Sequence, residues 1–122
     1  MDAALLQDAL TINGQYGILS VTQSAHRYLD IGLNEDLVFY LDVKDFSGAV
    51  TISYETSPTP QDSSFLAMIA PVTLSATGLR VDRAAFSTAA VPPARYVRWR
   101  LRCPGGAWSA TFRIWVAAYS YC

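Results

Sequence analysis

The stretch RYVRWRLRC, residues 95–103, holds most of the chemistry this chain can offer: four arginines interleaved with large apolar side chains. A guanidinium presents a rigid fork of donors that fits carboxylate, phosphate or sugar oxygens. The stretch is therefore a candidate to hold an anion, a glycan or a protein partner. Elsewhere reactive groups are sparse. His26 is the single histidine, and a general base needs a placed nucleophile, which no motif supplies. There is no G-x-S-x-G, no P-loop, no G-x-G-x-x-G and no metal-spaced cluster of His, Cys and carboxylate. Asn34-Glu35-Asp36 offers oxygens to calcium, but that ion wants about six to eight from a shaped loop, and the tripeptide reads as a turn. Cys103 and Cys122 are the only cysteines, neither a disulfide framework nor a four-ligand zinc site. The expectation is no catalytic, metal or cofactor site.

The elements that position the arginines follow period two. LVFYLDV (37–43) sets Leu37, Phe39, Leu41 and Val43 on one face, with Val38, Tyr40 and Asp42 on the other. AVTISYE (49–55) alternates in the same way, and β-branched and aromatic residues dominate both. KDFSG (44–48) between them reads as a hairpin loop. QYGILSVT (15–22), HRYLDIGL (26–33) and FLAMIA (65–70) read as further strands, and VTLSATGLRVD (72–82) as two short strands or one bent one. SPTPQDSS (57–64) is a surface loop, and Pro92-Pro93 closes an irregular crossing segment. The fold class is all-β: a single antiparallel β-sandwich, jelly-roll-like, with eight or nine short strands. Residues 1–14 are set apart as an arm or short helix, because Leu5, Leu6 and Leu10 have helical spacing, and 15–122 form the sandwich.

Residues 95–103 and 108–121, joined by Pro104-Gly105-Gly106-Ala107, read as the last hairpin. That register sets Val97, Trp99 and Leu101 opposite Ile114, Phe112 and Ala110, an apolar face for the core. The other face carries Tyr96, Arg98, Arg100 and Arg102 with Arg113 and Trp115. Arg98 falls directly across from Arg113, a like-charge pair that needs a counter-charge. The candidate interface is therefore Tyr96, Arg98, Arg100, Arg102, Arg113 and Trp115, with Leu5 and Leu6 from the arm. Arg98→Glu is expected to block assembly without unfolding the domain. Cys103 and Cys122 lie at opposite ends of such a hairpin and do not bond; Cys103 reads as core, and Cys122 as free or between copies.

A chain of 122 residues, 52% hydrophobic, is the size of one domain with ample core. Its net charge is −1, but residues 1–62 carry −7 and residues 63–122 carry +6. The halves either pair within the fold or stack copies head to tail. The negative net charge disfavours nucleic acid. The first residues have no basic region followed by an apolar run, and no stretch approaches a membrane span. The expectation is synthesis in the cytoplasm, with a larger assembly carrying the protein out.

Read whole, residues 37 to 119 resemble a group of small β-sandwich structural proteins of tailed phages and prophages. The resemblance is carried by VFYLDV, AVTISYETSPTP, SATGLRV, RYVRWRLR and a Gly-Gly turn before WSATFRIWV. It implies a non-enzymatic virion protein acting through other virion proteins: a homo-oligomeric head decoration or cement protein bound to the major capsid protein, or else a neck or tail component. ARYVR, the following tryptophan and phenylalanine, and the terminal cysteine also resemble discoidin-type domains. That resemblance implies a glycan site built on Trp115 or Tyr96 with an adjacent arginine, though the usual N-terminal cysteine partner is absent.

Overall fold

The computed structural model describes residues 2–14, 20–24, 27–32, 36–85, 87, 89–103 and 107–119. The strands are β1 (Asp2–Gly14), β2 (Ser20–Thr22), β3 (Leu29–Asp30), β4 (Asp36–Ser47), β5 (Thr51–Ser57), β6 (Leu66–Ala67), β7 (Val72–Thr73), β8 (Gly78–Ala84), β9 (Tyr96–Arg102) and β10 (Trp108–Tyr119). They form two antiparallel sheets. Sheet A has the order β1-β10-β4-β8, and sheet B the order β2-β9-β5-β6, with β3 also on β9 and β7 also on β5. Since β2 and β3 share β9, and β6 and β7 share β5, each pair is one interrupted strand. The eight resulting strands run 1-8-3-6 in one sheet and 2-7-4-5 in the other, which is the double Greek key of a jelly roll.

That topology corrects both expected hairpins. β4 and β5 lie in different sheets, and so do β9 and β10. The chain after β4 turns at Gly48, whose φ of 85° favours glycine, and crosses to sheet B. A side chain there would also meet the Cβ of Trp108 at 3.0 Å. The core faces are as the alternation requires. Leu37, Phe39, Leu41 and Val43 point inward, as do Val97, Trp99 and Leu101 from one sheet and Ala110, Phe112 and Ile114 from the other. Trp99 and Phe112 meet edge-to-face across the sandwich with centroids 5.1 Å apart, and Phe39 stacks on Tyr54 at 3.9 Å. Cys103 is buried with them.

Residues 2–14 are not a helix but an edge strand on β10. Register shifts between Leu5 and Gln7, and between Gln7 and Leu10, mark bulges. The bulges leave intact the alternation that sends Leu6 into the core and Leu5 outside. They also free Gln7 to accept the Trp99 indole N–H at 3.1 Å. Gln23, fully buried, closes the same seam. Its side-chain amide donates to the carbonyls of Leu6 (2.7 Å) and Arg27 (2.9 Å) and so ties sheet A to sheet B.

Candidate functional site

The last two strands place their outer faces on opposite sides of the sandwich, so the expected single Arg/aromatic face is split in two. On sheet B, Tyr96, Arg98, Arg100 and Arg102 sit opposite Ser57, Glu55, Ser53 and Thr51 of β5. Arg98 does not face Arg113. It is 1% exposed, and its Nε donates to Glu55 Oε1 at 2.7 Å. Its Nη1 donates to the Tyr28 hydroxyl at 2.9 Å and to Asp62 Oδ1. The guanidinium also lies 4.2 Å from the Phe65 ring centroid, a cation–π contact. The loop carrying Asp62 and Phe65 is thereby strapped over the sheet. Burial opposes the charge on Arg98, but the hydrogen bonds with Asp62, Glu55 and Tyr28 outweigh it and hold the guanidinium above its ordinary range. Arg98 is thus an internal clamp and not an interface residue, and Arg98→Glu, set against Glu55 and Asp62, is expected to unfold rather than spare the domain.

Arg100 reaches Glu55 Oε2 at 3.8 Å. Arg102 is exposed at the end of β9, and Tyr96 is half-buried with Arg95 over its ring at 5.4 Å. Arg95 in turn pairs with Asp30, and Arg83 with Asp36. Arginines of the second half therefore meet acids of the first within one fold, which accounts for the split charge.

The strap titrates with Asp62. The hydrogen bond from Arg98, and then the charge of Arg98, hold the Asp62 carboxyl below the usual carboxylate range. A lowered folded value means that stability is fully present above the ordinary range and is lost as pH falls through the lowered value. Asp30 acts in the same sense, through hydrogen bonds from Arg95 and the Gly32 N–H. The thermal midpoint should therefore drop on acidification below about pH 4. Asp62→Asn should make that acid limb shallower, and an unchanged limb in the variant would contradict the strap.

Sheet A presents a different outer face. One row crosses all four strands: Leu5 of β1, Trp115 of β10, Tyr40 of β4 and Val81 of β8. Trp115 is 43% exposed, Leu5 38% and Val81 53%. The next row toward the C-terminal end of β10 holds Ala117, Val38 and Arg83. On the other side lie Arg113, Asp42 and the exposed Leu79. Arg113 Nη2 is 3.2 Å from Asp8 Oδ1, and Lys44 Nζ is 2.7 Å from Asp42 Oδ2. An apolar band framed by charge is thus left open to solvent. β8 adds an inward-pointing Arg80–Asp82 pair at 3.1 Å, a common device that blunts strand-on-strand growth at an edge.

Of the candidate residues, the structure brings Leu5, Arg113 and Trp115 together on this face, sends Leu6 to the core, and places Tyr96, Arg98, Arg100 and Arg102 on the other sheet. Tyr40, Asp42, Leu79 and Val81 belong to the face and were not singled out in the sequence. The alternation of LVFYLDV put Tyr40 and Asp42 outward, but nothing local paired them with Trp115 and Arg113. His26, Asn34, Glu35 and Cys122 lie outside the described residues. Among the described residues no cluster of three or more His, Cys, Asp or Glu could hold a metal. The Tyr54 hydroxyl is buried with no hydrogen-bond partner among them, and burial, then the charge of Asp82, push its ionisation up. It is a neutral core residue.

Solved structures show where this fold recurs. The crystal structure of the infectious bursal disease virus VP2 subviral particle superposes with a TM-score of 0.57 at 13% identity, over 98% of this chain and 32% of that one. The structure of the Gx strain of the same virus gives 0.51 at 15% identity, over 97% and 32%. The chain spans about a third of the length of these viral chains, and at such identity the likeness is one of fold. The disulfide-linked pili of Bacillus endospore appendages align over the whole chain at 15% identity, but with a TM-score of only 0.38. No protein-family model matches, and no curated protein matches.

Proposed function

We propose that this chain is a non-enzymatic structural protein of a virus-like particle and works by burying the outer face of sheet A against protein. The observation that carries the reading is the outer row Leu5–Trp115–Tyr40–Val81, in which Leu5, Trp115 and Val81 are exposed and Tyr40 is half-buried. Contiguous apolar surface on a small domain marks a contact site, and aromatic residues at its centre are the usual anchors. The fold shared with the VP2 subviral particle supports the class. Within that class we favour a decoration or cement protein that is made in the host cytoplasm and rides on the virion, attached to a major capsid protein or another virion protein.

A glycan site fits the geometry less well. Sugar sites are concave and hold their ligand by convergent polar groups, whereas Trp115 lies in a flat sheet row and Tyr96 is capped by Arg95.

The protein should co-sediment with particles from producing cells. Trp115→Ser should leave the particle fraction by tenfold or more while shifting the thermal midpoint little, as exposed substitutions do. Wild-type protein found only in the unassembled fraction would overturn the reading.

A further inference from the structure

Resting on the assignment of the sheet A face as a contact, we infer that its occupant is a second copy of this chain, related by a two-fold axis lying in the interface and running along the strands. The order β1-β10-β4-β8 places the midline of the face between β10 and β4. An axis along that midline lays β10 on the partner copy's β4, and β1 on its β8. Each row then meets its own reversed sequence. Trp115 faces Tyr40, Leu5 faces Val81, and Ala117 faces Val38. Arg113 faces Asp42, and by symmetry Asp42 faces Arg113, so two opposite-charge pairs form at once.

The alternative in-plane axis, across the strands through the Trp115–Tyr40 row, exchanges the rows on either side. It sets Arg113 on Ala117 and Asp42 on Val38, burying their ion pairs with Asp8 and Lys44 against apolar groups with no new partner, which is costly. The charge pattern thus selects one of the two arrangements and makes the face complementary to itself, as an isologous contact requires. Aligned sheets pack at roughly −30°, so register is kept best near the centre, where the Arg113–Asp42 and Trp115–Tyr40 pairs lie.

The size of the face sets the strength. Four strands about 4.8 Å apart and some six residues at about 3.4 Å each give a footprint of roughly 400 Å². Counted on both copies, roughly 800 Å² is below the range of stable complexes and in that of weak, transient ones. Pairing should therefore be concentration-dependent, developing between roughly micromolar and millimolar protein.

The test is sedimentation of the full chain and of Arg113→Asp and Asp42→Arg, each alone and mixed. Each variant alone places like charges at both contacts and should lose self-association by roughly tenfold or more. In the mixture, the introduced aspartate of one variant meets the introduced arginine of the other. The unchanged Asp42 of the first meets the unchanged Arg113 of the second, and pairing should return to near the wild-type level. Repair of a contact within one chain cannot produce rescue by mixing. If mixing rescues nothing while Trp115→Ser abolishes wild-type pairing, the face is a contact but this axis is wrong. If Trp115→Ser leaves wild-type pairing intact, both this inference and the assignment of the face fail. Wild-type protein that stays monomeric throughout overturns this inference and leaves the particle reading to its own co-sedimentation test.

Should a charge variant not fold, Leu5→Cys and Val81→Cys chains, both with Cys122→Ser, replace it at the exposed edges. A short bis-maleimide should join them when mixed and should join neither to itself. No cross-link in the mixture overturns the arrangement.

Discussion

Arg98→Met should lower the unfolding free energy by about 3–5 kcal/mol, the range for removing one partner of a buried ion pair. The methionine keeps the stem and most of the volume, so the loss is not a cavity effect. It leaves the Glu55 carboxylate, itself buried, without the donor at 2.7 Å and with only the distant Arg100 at 3.8 Å. It also releases Tyr28 and the loop held through Asp62. Denaturant unfolding followed by tryptophan fluorescence would read the midpoint shift. The double variant Arg98→Met with Glu55→Leu should recover much of the loss, because removing both charges lifts the desolvation cost as well. A loss below about 1 kcal/mol for Arg98→Met, typical of a solvent-screened pair, would mean that the clamp is weaker than its geometry.

Gly14→Ala should cost about 3 kcal/mol, the upper part of the range for overpacking a filled site. A Cβ at this position would lie 1.9 Å from Trp108 Cε2 and 2.0 Å from its Nε1. The indole is buried beside the turn at Gly48 and cannot simply swing out. Gly14 also pairs with Trp108 in the β1–β10 ladder, so relief must come from peeling the end of β1. Native-state hydrogen exchange would show faster exchange at Ile12 to Gly14 along with the lower midpoint. A variant as stable as the wild type would show that Trp108 has room the structure does not display.

The inner faces were legible in the sequence because period two leaves a strand no choice. Trp99 and Phe112 alternate with polar neighbours, so each must enter the core whichever strand lies alongside. Strand partners were not legible, because a four-residue loop serves a hairpin and a sheet-crossing corner equally well. Reading Pro104–Ala107 as a hairpin set Arg98 against Arg113 and created a charge conflict. The jelly roll removes it by pairing Arg98 with Glu55 and Arg113 with Asp8, and by setting Arg113 opposite Asp42, all distant in sequence. The same error merged two opposite outer faces into one: Trp115 and Arg113 lie on the outer face of sheet A, while Arg98 is buried on sheet B against Glu55 and Asp62. β1 shows how a bulge disguises a strand. Leu6 and Leu10 both reach or flank the core, and their four-residue spacing puts two residues on one face of a strand as well as of a helix.

Whether the sheet A face is a contact decides the function proposed for this chain. Light scattering of the wild type beside Trp115→Ser, across concentration and at low and high salt, tests it most directly. The wild-type mass should rise above the 13.3 kDa of one chain as concentration increases, less so in high salt, where exposed charge pairs are screened. Trp115→Ser should stay at one chain under the same conditions. A wild-type mass of one chain throughout would remove the second copy as the occupant, and a Trp115→Ser curve that overlays an associating wild type would contradict the assignment itself.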